Sequence, residues 1–181
     1  MEIRLINESL FKANSPVTDG TVIKEFIPYI LIAQKMHTER VLGRPLSDEL
    51  KLQIKEASEN PEASPFPITP ANQALIEVIS PSLSFYAVYE GLPYHWATIT
   101  NKGITARESE NSKAVEMKDI AQLRRWTFDT AKAFERDLIG YLTRCKDKYP
   151  LWQPESGCGC GLDSETGSKE SPIGTGIYFP K

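Results

Sequence analysis

The chain has 181 residues, 40% hydrophobic and 25% charged, which suits one globular domain with its own core, with or without a tail. A formal charge of −3 and a pI of about 5.5 exclude the global positive field that draws a protein onto nucleic acid or anionic membrane. Three cysteines, two of them close together near the C-terminus, imply no disulfide framework.

The first residues, Met1-Glu2-Ile3-Arg4-Leu5-Ile6-Asn7-Glu8, carry acids where a signal peptide needs a basic start and an apolar run. The most apolar stretch, Phe26 to Ala33, is too short to span a bilayer and contains Pro28, so a cytosolic product is expected. Residues 1–20 read as an extended lead-in, with turn chemistry at Asn14-Ser15-Pro16 and Asp19-Gly20. Then Val22, Ile23, Phe26, Ile27, Ile30, Leu31, Val41 and Leu42 recur at helical spacing, predicting a first helix over Thr21–Leu42, bent near Pro28. Gly43 is its expected left-handed stop, with Pro45 beyond. Ser47-Asp48-Glu49 supplies a cap and first-turn acids for a short second helix with Leu46, Leu50 and Ile54 on one face, ending by about Asn60.

Pro61 to Pro67 is a proline-rich loop, and Thr69-Pro70 a strong helix start. The third helix carries Leu75, Ile76, Val78, Ile79, Leu83, Phe85, Tyr86 and Val88 and is apolar nearly all round, so it belongs at the centre of a bundle or at a subunit contact. Pro81 is expected to kink it and Gly91-Leu92-Pro93 to end it. Alternation at Trp96, Thr98 and Thr100, then Asn101-Lys102-Gly103 and Ile104-Thr105-Ala106, predicts a small hairpin near 94–107. The fourth helix, about Glu116 to Asp147, has a continuous stripe of Ile120, Leu123, Thr127, Ala131, Phe134, Leu138, Tyr141, Leu142 and Cys145. Its opposite face is charged, with Arg125 and Asp129 spaced to pair, and Pro150 stops it.

The helical domain thus covers 21–152. Residues 153–181 form an arm holding six of the eleven glycines among serines and acids, a composition that builds no core. Its apolar, β-prone tip, Ile173, Ile177, Tyr178 and Phe179, suggests docking back onto the body or onto a neighbour by strand addition.

Catalytic constellations are not evident. Cys158-Gly159-Cys160 places two thiols one residue apart, but a structural zinc site needs four ligands, and His37 and His95 have no companion at ligand spacing. Cys145 reads as packing and His37 as a surface residue. No serine sits in a nucleophile elbow, and the glycines around Cys158 lack the lysine and hydroxyl of a phosphate loop. Glu108 and Glu110 read as solvated loop charges. Lys118, Arg124, Arg125 and Lys132 could form a DNA strip, but interleaved Asp119, Asp129 and Glu135 favour a solvated face. Trp96, Trp126 and Trp152 stand at element edges and are expected over the bundle ends. No catalytic, metal or cofactor residue is assigned.

A succession of motifs adds a resemblance. Ala33-Gln34 followed by Val41-Leu42-Gly43-Arg44-Pro45-Leu46, then Ile79-Ser80-Pro81-Ser82-Leu83 and Ile99-Thr100-Asn101-Lys102-Gly103-Ile104, leads to a polar loop (Glu108 to Lys113). A long helix ending in Tyr141-Leu142 and Tyr149-Pro150 completes the order. Over about residues 20–152 this order resembles the head–tail connector proteins of tailed bacteriophages, of the type found in Bacteroidales phages and prophages, the crAss-like group among them. The resemblance implies a four-helix bundle-like connector with a small β-element, and a structural, non-enzymatic virion protein at the head–tail interface. Copies would form a homo-oligomeric ring, commonly of twelve, beneath the portal. The ring would extend the DNA channel through which the genome is ejected, without sequence-specific DNA binding, and meet the tail or further ring proteins. A ring needs heterologous contacts, for which Leu83 and Tyr86 of the third helix and the arm-tip residues are the candidates. Two readings compete: a metal- or thiol-dependent regulatory protein using Cys158 and Cys160, and a DNA-binding accessory using the fourth helix.

Overall fold

The structure, a computed structural model, describes residues 2–18, 20–59, 68–100, 103–106 and 116–153. The arm tip (Ile173, Ile177, Tyr178, Phe179), Cys158, Cys160, the 61–67 loop and the Glu108–Lys113 loop lie outside the described residues.

The architecture is mainly α. Asn7 opens α1 (Glu8–Ala13), its side-chain oxygen accepting from the Leu10 amide at 2.8 Å. A helix therefore interrupts the lead-in that was expected to be extended. Its anchor is tertiary: Phe11 is fully buried and enters the core with Leu5 and Ile6.

The single bent helix expected over Thr21–Leu42 is instead four pieces. A 3-10 turn (Ile23–Glu25) leads into α2 (Ile27–Ala33), a π-helical turn (Gln34–Thr38) and α3 (Glu39–Leu42). Pro28 lies in the first turn of α2, where a missing donor loses no helical hydrogen bond, so it starts the helix rather than bending it. The disturbance comes a turn later, at the π turn. There Gln34, buried, holds the N-terminal segment: its Oε1 accepts from the Leu5 amide at 2.8 Å and its Nε2 donates to the Ile3 carbonyl at 3.0 Å.

Gly43 ends α3 at φ 74° and ψ 157°, a positive-φ conformation suited to glycine. It also begins the next helix, because its carbonyl accepts from the Ser47 amide at 3.1 Å. Hence α4 spans Arg44–Glu59 and starts ahead of the cap expected at Ser47, which sits buried in its first turn. Leu46 and Leu50 are buried as the stripe predicts, with Ile54 packed against the core.

Thr69 caps α5 (Pro70–Trp96), its Oγ1 accepting from the Asn72 amide at 3.3 Å. The helix runs on through Gly91-Leu92-Pro93, where an end was expected. Pro93 has no amide to offer the Tyr89 carbonyl one turn back. Arg124 supplies the replacement, its Nε donating to Tyr89 O at 3.3 Å while the guanidinium stacks 4.1 Å above the Tyr89 ring. α5 is the central element, meeting α1 and α2, the π turn and the last long helix.

At the end of α5, β1 (Ala97–Thr100) pairs antiparallel with β2 (Gly103–Ala106), Ala97 opposite Ala106 and Ile99 opposite Ile104. The last long helix, α6 (Met117–Arg144), buries Thr127, Ala131, Leu138 and Leu142. It ends at Cys145, ahead of Pro150, and a 3-10 turn (Lys146–Lys148) follows. Arg125 and Asp129, spaced to pair, form no ion pair among the described residues. The chain then folds back: Tyr149 is buried and donates to the Ala71 carbonyl at 2.7 Å, and the Trp152 indole donates to the Val41 carbonyl at 2.9 Å.

Candidate functional site

The π turn, α3 and the C-terminal half of α6 enclose a cavity of about 330 Å³, lined by His37, Arg40, Val41, Lys132, Glu135, Ile139 and Trp152. Two features build it. The π turn carries His37 onto Tyr86 of α5, ring centroids 3.9 Å apart and planes 1° from parallel, and places its Nε2 3.0 Å from Glu90 Oε1. On the facing side, Glu135 receives the Tyr86 hydroxyl at 2.5 Å and the Lys132 ammonium at 2.7 Å. Burial, and then the Glu135 carboxylate it donates to, push the Tyr86 hydroxyl well above the ordinary tyrosine range, so it stays a donor.

These contacts occupy most of the ionisable groups. His37 is held by Glu90, and both Glu135 oxygens have donors. Arg40, by contrast, has no hydrogen-bond or ion-pair partner among the described residues. The cavity therefore offers an incoming group an unpaired guanidinium beside the apolar sides of Val41, Ile139 and Trp152. That suits recognition of an aromatic or amphipathic group.

The residues singled out from sequence fall in several places. Leu83 and Tyr86, expected at a subunit contact, are 0% and 1% exposed within the chain's own core, so this part of α5 is covered by α2 and α6 rather than presented to a neighbour. His37 is not a surface residue; its side chain is 14% exposed and stacked. His95 stacks on Phe26 with centroids 4.3 Å apart, and its Nδ1 lies 3.8 Å from Glu25. Cys145 packs half-buried against the core. Of the basic strip, Arg124 and Lys132 are spent on Tyr89 and Glu135, which leaves Lys118 and Arg125 exposed.

Trp152 packs as expected at an element edge, but Trp126 is 61% exposed. Met117 and Leu123, in the same N-terminal part of α6, are 66% and 44% exposed. No cluster of three or more His, Cys, Asp or Glu able to hold a metal occurs among the described residues. No helix among them is long and apolar enough to cross a membrane.

The buried network leaves no local pattern in the sequence because its partners lie far apart in the chain: His37 with Glu90, and Tyr86 with Glu135. One local signal existed. Glu135 is four residues after Ala131 and three before Leu138, a charge on the buried stripe, and such a charge requires a partner.

The family of unknown function DUF6712 matches residues 38–161. The chain belongs to that family. No curated protein and no solved structure matches the chain. The matched segment runs from the π turn through α6 and takes in every wall of the cavity apart from His37.

Proposed function

We propose that this DUF6712 chain is a structural virion protein, a head–tail connector ring subunit that attaches below the portal, extends the DNA channel and joins the tail. In this reading the helical body is the four-helix bundle-like connector of the resemblance, and the strand pair is its small β-element. The protein is no enzyme and carries no cofactor.

The observation that carries the reading is the group of exposed apolar side chains at the start of α6. Met117, Leu123 and Trp126 are 66%, 44% and 61% exposed, and at roughly 100° per residue they spread over about half of the helix circumference, Leu123 and Trp126 lying nearest one another. Aromatic and methionine side chains left in water on a long helix are typical of surfaces that another protein covers. A ring subunit must present such a surface to a different surface of its neighbour. With Leu83 and Tyr86 inside the core, this end of α6 is the contact surface of the reading in their place. A chain without an excess of positive charge fits a DNA conduit, since a basic lining would hold the genome and oppose its passage.

Co-expression with a portal protein, followed by imaging of the particle, tests the reading. A ring of this chain seated on the portal is expected, commonly of twelve copies. A chain that stays monomeric and fails to bind portal contradicts it.

A further inference from the structure

We propose that the apolar segment Ile177-Tyr178-Phe179 docks into the cavity between α3 and α6 of its own chain, an aromatic side chain filling the space beside Arg40.

Three observations point to this occupant. The first is where the described chain stops. Trp152 is itself a wall of the cavity, fixed by its indole hydrogen bond to Val41, and Gln153 passes so close to Gly43 that a Cβ there would lie 1.7 Å from the Gln153 carbonyl oxygen. Residues 154–181 therefore depart from the rim of the site. A glycine- and serine-rich stretch of about 24 residues has a root-mean-square reach of roughly 27 Å, and such a tether holds its end at an effective concentration on the order of millimolar. Even a weak site is filled under that condition.

The second observation is the chemistry of the walls. Val41, Ile139 and Trp152 supply apolar sides, and the unpaired Arg40 guanidinium supplies a cation for an aromatic face. Ile177, Tyr178 and Phe179 are the most apolar run that follows residue 153.

The third is charge. Between residues 154 and 171 the sequence carries Glu155, Asp163, Glu165 and Glu170 against the single Lys169. Arg40 also borders an adjoining polar cavity of about 380 Å³, whose lining mixes Lys35, Arg44 and Lys51 with Glu2, Glu39 and Asp48. The acidic approach thus passes Arg40, which no ion pair among the described residues engages, at the point where the chain leaves the body.

This docking holds whether or not the chain builds a ring. If it does, the free subunit keeps its sticky tip covered until a neighbour or ring protein claims it.

The test places a photo-crosslinking p-benzoylphenylalanine at position 178 of the full chain, in a mixture of light and heavy-isotope protein. Crosslinks within one chain to the peptides bearing Val41 or Ile139 are expected. Crosslinks elsewhere, or only between light and heavy chains, overturn the proposal. A second measurement uses a synthetic peptide of residues 172–181 and a chain truncated after residue 171. The peptide should bind, and both Ile139→Trp, which fills the cavity, and Arg40→Glu should weaken it about tenfold or more. Circular dichroism melts of both variants verify the fold, and unchanged peptide affinity in folded variants overturns the proposal equally.

Discussion

Along α6, the half from Thr127 onward turns Thr127, Ala131, Leu138 and Leu142 onto α5 and holds Glu135 in a network with Tyr86 and Lys132. The half before it leaves Met117, Leu123 and Trp126 in solvent. The stripe runs through both by way of Ile120 and Leu123, so along it periodicity alone makes the halves equivalent, whereas Met117 and Trp126 lie off it. The difference is what lies opposite: α5 and the returning Tyr149–Trp152 segment cover the second half, while Met117, Leu123 and Trp126 of the first stay largely exposed among the described residues. An amphipathic stripe identifies a face that must be buried somewhere. It does not say whether the partner is the same chain or another.

Substitutions separate the halves by size of effect. Leu138→Ala removes a fully buried side chain and should cost about 2–5 kcal/mol of unfolding free energy, read by denaturant titration. Gly43→Ala should follow, because it meets a positive φ and the Gln153 backbone at once. The conformational part alone is roughly 1–2 kcal/mol, and proteolytic nicking near Trp152 should accelerate as the returning segment is displaced. Tyr86→Phe leaves Glu135 with only Lys132 and should cost about 1.5–3 kcal/mol by thermal or chemical melting. Trp126→Ala, at the exposed end, should change monomer stability by less than about 0.5 kcal/mol. A large destabilisation there would erase the distinction between the halves.

The pH dependence sharpens the same contrast. Tyr86 and Tyr149 are both held protonated, first by burial and then by their partners Glu135 and Tyr141. In the unfolded chain a tyrosine ionises near pH 10, so above about that value the unfolded state loses protons that the folded state keeps. Stability should be full below this point and fall as pH rises through it. Tyr86→Phe should flatten the fall, whereas Trp126→Ala should not alter it.

Much of the fold was legible because its signals are local. Thr69-Pro70 combines a hydroxyl cap with a proline where no donor is needed, and Leu46, Leu50 and Ile54 mark α4 by spacing alone. The failures share one cause, a partner distant in sequence. α1 exists because Phe11 finds the core, and α5 passes Pro93 because Arg124, 35 positions from Tyr89, takes up the orphaned carbonyl. From spacing alone Pro28 looks like a bend, because its place in the first turn depends on where α2 starts, which the preceding 3-10 turn decides. The cavity was hidden for the same reason, apart from the charge at Glu135 on an otherwise buried stripe.

The most direct test of the ring reading is the native mass of the full chain, measured beside Leu123→Asp and Trp126→Asp variants. A closed multimer that falls to folded monomer in both variants is the predicted result. A wild-type chain that remains monomeric across the accessible concentration range and with portal present, or a multimer indifferent to both substitutions, would contradict the account.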